Sequence, residues 1–251
     1  MQEKRVALVT GANQGVGLQV AKELVRHGFV VVVGSRDLKR GETAAEEAGP
    51  GATAVQLDVT DQASIGAAAE RIRREFGRLD VLVQNAAISN TNRQPGESIA
   101  EHSRKTRPSN VPLEDMRKVW DTNVFGVLAV HQAMLPLLRA TPGSRIVIVS
   151  SGAGSLTRNA DTGNQHRSIF GPVYPASKTA LNALALAMAI ELEPEGIPVR
   201  IVSPGFVSTN LNGFTGTQNL EEGAREIVRV ALLSDGVTGT FTRWPGEAIP
   251  W

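Results

Sequence analysis

Short, continuous apolar runs recur along the chain, each followed by a stretch of different period. Val6-Ala7-Leu8-Val9, Phe29-Val30-Val31-Val32-Val33, Val55-Gln56-Leu57, Leu79-Asp80-Val81-Leu82-Val83, Arg145-Ile146-Val147-Ile148-Val149 and Val199-Arg200-Ile201-Val202 are too short for helices and rich in β-branched residues. Unbroken rather than alternating apolar patterning marks strands covered on both faces, as in a parallel sheet. Helical periodicity runs from about Leu18 to Arg26, Gln62 to Phe76, Leu113 to about Leu138 and Leu220 to Leu233, with a long Ala/Leu-rich segment opening at Tyr174. A further strand is expected near Gly239–Phe241. Strands alternating with helices predict one α/β domain over residues 1–251, a doubly wound parallel sheet of about seven strands flanked by helices. Residues 88–111 are polar and aperiodic, and a loop of that length within a compact domain is usually functional or mobile.

Composition narrows the function more than the fold. The 251 residues are 41% hydrophobic and 20% charged, enough for a substantial core. A net charge of +1 argues against nucleic acid or an anionic membrane surface as partner. Cysteine is absent, which removes disulfide and thiolate chemistry and fits a reducing cytosol. The apolar run after Met1–Arg5 is too short for a secretory signal, and no stretch approaches the ~20 apolar residues of a membrane span. A soluble cytoplasmic protein is expected. His27, His102, His131 and His166 are scattered without ligand spacing, so no metal site is expected.

Between the first strand and first helix stands Thr10-Gly11-Ala12-Asn13-Gln14-Gly15-Val16-Gly17. Glycines there allow a sharp turn and close approach of backbone to a pyrophosphate, which the helix N-terminus attracts through unpaired N–H groups. Gly11, Asn13, Gln14, Gly15, Val16 and Gly17 are therefore candidate dinucleotide contacts. The second strand ends in Gly34-Ser35-Arg36-Asp37, where such a fold meets the adenosine ribose. An acid would favour NAD there; Arg36, beside Ser35, matches a 2′-phosphate, so NADP(H) is expected, with Asp37 pointing away. Asp58, with Val59, is placed to meet adenine or to cap the following helix. Asn85, Ala86 and Ala87 close the fourth strand, and Asn85 either ties neighbouring strands or faces the cofactor. After the strand Val199–Val202, the Pro204-Gly205 turn is placed against the nicotinamide face, with Val207 and Thr209 meeting the carboxamide or phosphate.

The candidate chemistry lies in Tyr174-Pro175-Ala176-Ser177-Lys178. Residues four apart share a helix face, so phenol and ammonium can enter one site. A cation favours phenolate, so Lys178 is expected to lower the Tyr174 pKa from near ~10 and make it a usable proton donor. Ser151, at the carboxyl end of the fifth strand, is preferred over Ser150 because alternation sends the latter to the other face. Asn123 is polar on an apolar helix face, to be read as satisfying a backbone kink, holding a water in a proton path, or both.

Taken together, these motifs resemble the short-chain dehydrogenase/reductase family over nearly the whole chain. Thr10–Gly17 is similar to that family's cofactor motif, and Asn123, Ser151, Tyr174 and Lys178 match its catalytic tetrad in order. The resemblance implies a Rossmann-type fold. Within the family, the chain looks most like the NADPH-dependent carbonyl reductases: Tyr174 as general acid/base, Ser151 holding the substrate oxygen, Lys178 also binding the nicotinamide ribose, and Asn123 supporting a relay water. The substrate implied is a small-molecule ketone or aldehyde. The alternatives are an NAD(H)-linked alcohol dehydrogenase of the same family and a non-catalytic dinucleotide sensor, which would be expected to lose the Tyr/Lys pair. Departures are Gln84-Asn85-Ala86-Ala87 where the family usually shows Asn-Asn-Ala-Gly, and a longer stretch between Ser151 and Tyr174, which makes 152–173 a second inserted loop beside the cleft. From Thr179 to Ile190 the tetrad helix has no charged residue, and its outer side needs cover. A partner subunit or the inserted segment could supply it; the resemblance implies dimers or tetramers paired through this helix, with some carbonyl reductases kept monomeric by an insertion, and a homo-oligomer is expected.

Overall fold

The computed structural model describes residues 4–94 and 96–251. Its strands are β1 (Val6–Thr10), β2 (Val30–Ser35), β3 (Ala52–Gln56), β4 (Val81–Gln84), β5 (Arg145–Val149), β6 (Val199–Val202), β7 (Phe241–Arg243) and β8 (Glu247–Ala248). They form one sheet in the order β3-β2-β1-β4-β5-β6-β7-β8. All pairs are parallel except β7 with β8. β1 lies between β2 and β4, so the chain reverses its direction of winding there and leaves a crevice at the strands' carboxyl ends.

The helices are α1 (Gly15–Arg26), α2 (Leu38–Ala48), α3 (Gln62–Phe76), α4 (Ile99–Lys105), α5 (Leu113–Trp120), α6 (Gly126–Ala140), α7 (Leu156–Ala160), α8 (Tyr174–Leu192) and α9 (Leu220–Leu232). Two cores explain why the strand runs are apolar almost without a break. Leu8, Val32, Leu82, Ile146, Ile148 and Ile201 face one cluster with Ile65 of α3, Met134 of α6 and Leu181 of α8. Their neighbours Ala7, Val9, Val31, Val83 and Val147 face the other, with Val20 of α1, Ala44 of α2 and Ile227 of α9.

Five elements differ from the sequence-based expectation, one of them α7, a short helix within the 152–173 segment expected as a loop. β8 makes an eighth strand; it has two exposed residues and no apolar signal. α2 buries only Gly41, Ala44, Ala45 and Ala48, a face too small to register as hydrophobic periodicity. The 88–111 segment holds α4, capped by a reciprocal pair in which Ser98 Oγ accepts from the Glu101 amide at 3.2 Å and Glu101 accepts from the Ser98 amide at 2.9 Å. The single helix expected over 113–138 is α5 and α6 joined by one π-type turn, Asp121–Phe125. Among the described residues no helix is long and apolar enough to cross a membrane.

Candidate active site

A cleft of about 440 Å³ opens at the carboxyl ends of β1, β2, β4 and β5. At its floor Gly11 adopts φ +62°, and a Cβ there would stand 2.9 Å from the Ala86 Cα. Conformation and space both demand glycine. A Cβ on Gly17 would stand 2.4 Å from Asn85 Nδ2. Asn85 uses that amide to donate to the carbonyls of Thr10 at 3.0 Å and Gly11 at 3.2 Å, while Thr10 Oγ1 accepts from the amides of Asn85 and Ala86. Its side chain thus ties β4 to β1, the first of the two roles open to it. α1 starts beside this turn without a side-chain cap and without an acid in its first turn, leaving N–H groups and a positive dipole end to an anionic ligand. Asn13, Gln14, Gly15 and Val16 line the same wall.

At the end of β2, Ser35 is buried and donates to the Asp37 carbonyl at 2.7 Å, so its hydroxyl is already engaged. Asp37 caps α2 by accepting from the Arg40 amide at 3.1 Å. Arg36 is exposed at the rim. Arg40, which the sequence reading passed over, lines the cleft with it and donates to Gln14 Oε1 at 2.6 Å. Two guanidinium groups therefore stand where the adenosine ribose of a dinucleotide would lie. Asp58 and Val59 also line the cleft. Asp58 accepts from Thr60 N and Oγ1 at 2.9 and 2.7 Å; the cap of α3 is Asp61 instead, accepting from the Ala63 amide. These features fit a nicotinamide dinucleotide.

Across the cleft, Ala87, Pro204 and Thr209 form part of the wall, whereas Gly205 and Val207 do not. Gly205 backs onto Gln218, whose Oε1 would lie 1.9 Å from a Cβ there. Val207 is buried against Gly223, and its carbonyl accepts from Asn212 Nδ2 at 2.7 Å. Both thus lie outside the cleft lining, which the spacing alone could not show.

α8 begins at Tyr174 with Pro175 in its first turn, where the missing N–H costs nothing. Tyr174 and Lys178 both line the cleft, with Lys178 Nζ 5.7 Å from the Tyr174 ring centroid. Contrary to the expectation from alternation, Ser150 lines the cleft and Ser151 does not; the Ser150 hydroxyl is engaged, donating to Asn182 Oδ1 at 2.5 Å, while Ser151 Oγ accepts from the Ala153 amide at 3.2 Å near the Tyr174 phenol. Asn123 is fully buried behind the cleft in the π-type turn. Its Oδ1 accepts from the Ile88 amide at 2.9 Å, and its Nδ2 donates to the Ile88 carbonyl at 2.8 Å and to Ser177 Oγ at 3.0 Å. Ser177 in turn donates to the Tyr174 carbonyl at 2.7 Å, a link between Asn123 and α8 that the sequence reading missed.

The electrostatics correct one expectation. Burial pushes the Tyr174 phenol up to about 12, opposed by the nearby Ser151 hydroxyl, rather than down under the influence of a cation. Burial also pulls Lys178 down to about 7, and its Nζ donates to a neutral acceptor, the Val149 carbonyl, at 3.0 Å. Loss of water disfavours both charged forms, and it outweighs attraction between them. Elsewhere, burial lowers the pKa of His131, whose Nδ1 has no partner. No group of three or more His, Asp or Glu that could hold a metal occurs among the described residues.

Comparison with known proteins agrees with this geometry. The sequence profile of the short chain dehydrogenase family matches residues 5–220. A short-chain dehydrogenase of Penicillium roqueforti is 36% identical over 237 residues, covering 91% of this chain and 88% of its own. Salutaridine reductase from Papaver somniferum superposes with TM-score 0.80 at 30% identity, over 95% of this chain and 99% of that one. NADPH-bound carbonyl reductase from chicken fatty liver does so with TM-score 0.80 at 29% identity, over 99% and 100%. The chain belongs to the short chain dehydrogenase family and is an oxidoreductase of carbonyl or alcohol substrates that uses a nicotinamide dinucleotide.

Proposed function

We propose that the protein reduces a ketone or aldehyde to an alcohol with NADPH. The observation that carries this reading is the pair Tyr174 and Lys178 in the cleft wall, one helical turn apart, with Lys178 Nζ 5.7 Å from the phenol ring centroid. A phenol held near 12 is fully protonated at neutral pH, as a proton donor must be. A nicotinamide dinucleotide held along Gly11–Gly17, Asn85 and Lys178 would supply the hydride for the carbonyl carbon. Tyr174 Oη gives its proton to the carbonyl oxygen as negative charge develops there, and Ser151 Oγ donates a second hydrogen bond to the same oxygen. Lys178 Nζ, fixed on the Val149 carbonyl, faces the cleft to bind ribose hydroxyls and to return a proton to Tyr174. Asn123 and Ser177 hold the start of α8 against the Ile88 backbone.

Arg36 and Arg40 support NADPH over NADH, since paired guanidinium groups suit a 2′-phosphate, and Asp37 is committed to the cap of α2. The NADPH-bound carbonyl reductase among the structural relatives supports the same choice. NADPH and NADH oxidation measured over a panel of ketones, aldehydes and quinones tests the reading; binding of NADPH without turnover of any carbonyl would sink it.

Self-association belongs to the same reading. Ala183, Ala187 and Ile190 leave the outer face of α8 exposed, Ile190 by 64%, beside a cavity of about 150 Å³ shared with α6. A second copy covering this face is the arrangement the exposure supports, and light scattering on the purified protein reads it directly.

A further inference from the structure

The turn that carries Ser151 is clamped from two sides by groups outside the cleft. On one side Gly154 rests directly on α8. A Cβ there would stand 2.7 Å from the Lys178 carbonyl carbon, and Thr179 Oγ1 donates to the Gly154 carbonyl at 2.8 Å. On the other side Ser155 is fully buried. Its hydroxyl donates to the Pro250 carbonyl at 2.5 Å and accepts from the Arg158 amide at 3.2 Å. The Thr157 amide donates to the Trp251 carbonyl at 2.7 Å, and the Trp251 ring lies 5.7 Å from that of Phe241 on β7. Neither Ser155 nor Thr179 lines the cleft.

A serine hydroxyl hangs on a single side-chain torsion, so it lies where its backbone puts it. A proton donor loses most of its benefit when misplaced by about 1 Å. The Ser151 backbone belongs to a tight turn, its carbonyl accepting from the Gly154 amide at 2.9 Å. Movement at Gly154 or Ser155 therefore reaches Ser151 through one short turn, Gly152–Gly154, that this bond closes.

We propose that Ser155 and Thr179 are positioning residues for carbonyl reduction: they press the Ser151–Ser155 turn between α8 and the Ile249–Trp251 segment, and so hold the Ser151 hydroxyl beside the Tyr174 phenol. The inference rests on Ser151 and Tyr174 acting together on the substrate oxygen, as proposed above. It makes a segment 95 residues from Ser155 in sequence part of the support of the site.

The test is steady-state kinetics with NADPH and 4-nitrobenzaldehyde on Thr179→Val, Thr179→Ser, Ser155→Ala, Ser151→Ala and Tyr174→Phe, with the first and third also built into the Ser151→Ala background. Thr179→Val and Ser155→Ala are each expected to lower kcat about tenfold with the KM for NADPH unchanged. Thr179→Ser, which keeps the hydroxyl, restores kcat. In the Ser151→Ala background neither change lowers kcat further, because residues acting through one group are not additive. Wild-type kcat in both variants, a loss that persists without the Ser151 hydroxyl, or failure of Thr179→Ser to restore kcat overturns the inference. Should Ser155→Ala not fold, Thr179→Val decides alone, since it keeps the side-chain shape at a partly exposed position. Absence of wild-type turnover, or full activity in Tyr174→Phe, overturns the reading beneath it instead, whatever the other variants do.

Discussion

Lys178 and Tyr174 stand one helical turn apart, with the amine nitrogen 5.7 Å from the phenol ring centre, and burial drives each away from its charged form. The consequence for stability has a definite sign. Lys178 falls from 10.5 to about 7 on folding, so between those values the unfolded chain binds more protons and stability rises with pH. Tyr174 rises from 10.0 to about 12, so the native state holds more protons in that window and stability falls as pH rises through it. Thermal unfolding scanned against pH should show the first trend in wild type and lose it in Lys178→Met. At pH 7 that variant should melt no lower than wild type, because a buried ammonium costs on the order of a few kcal/mol, yet it should be inactive.

Removing the phenol oxygen should separate chemistry from binding. Tyr174→Phe is expected to lower kcat at least ~10²-fold, the range of general-acid catalysis, with dinucleotide affinity largely retained. Fluorescence titration with NADPH beside turnover measurements gives both numbers; a parallel loss of binding would assign Tyr174 a different role.

Cofactor choice should turn on the two guanidinium groups at the end of β2. Charge-assisted hydrogen bonds contribute about 1.5–3 kcal/mol each, so Arg40→Ala should raise the KM for NADPH roughly tenfold or more while leaving that for NADH nearly unchanged. Arg36→Asp should reverse the preference by repelling the 2′-phosphate. Unchanged NADPH/NADH ratios in both variants would place the selectivity elsewhere.

Gly11 offers a test of the cleft floor. Alanine there meets Ala86 at 2.9 Å in a backbone conformation that side chains resist, at a cost of about 1–3 kcal/mol. The Tm should drop by several degrees and NADPH affinity with it, whereas Gly66→Ala, with nothing near its added methyl, should leave both intact.

The central sheet was legible because its strands β1, β4 and β5 are buried at every position, so apolar residues stand there whichever way they point; Leu8 and Val9 serve opposite cores. What escaped has small or polar burying faces, such as the alanines of α2, or a cap not followed by an apolar run, as at Ser98 before α4. In the site, residue type and spacing brought out Tyr174 and Lys178, since the helix period is local. Arg40 and Ser177 act through partners at Gln14 and Asn123, far away in sequence, and no local period announces them. The pKa reversal was equally hidden, because spacing gives separation between charges but not the water lost around them.

Trp120 donates its indole proton to the Pro172 carbonyl at 3.1 Å, two residues before the phenol on which the chemistry turns. The other two tryptophans, Trp244 and Trp251, are exposed by 47% and 39%. The molecule thus carries its own optical reporter: blue-shifted emission belongs to the half-buried indole, and any loosening of the segment that delivers Tyr174 will redden it before the fold as a whole gives way.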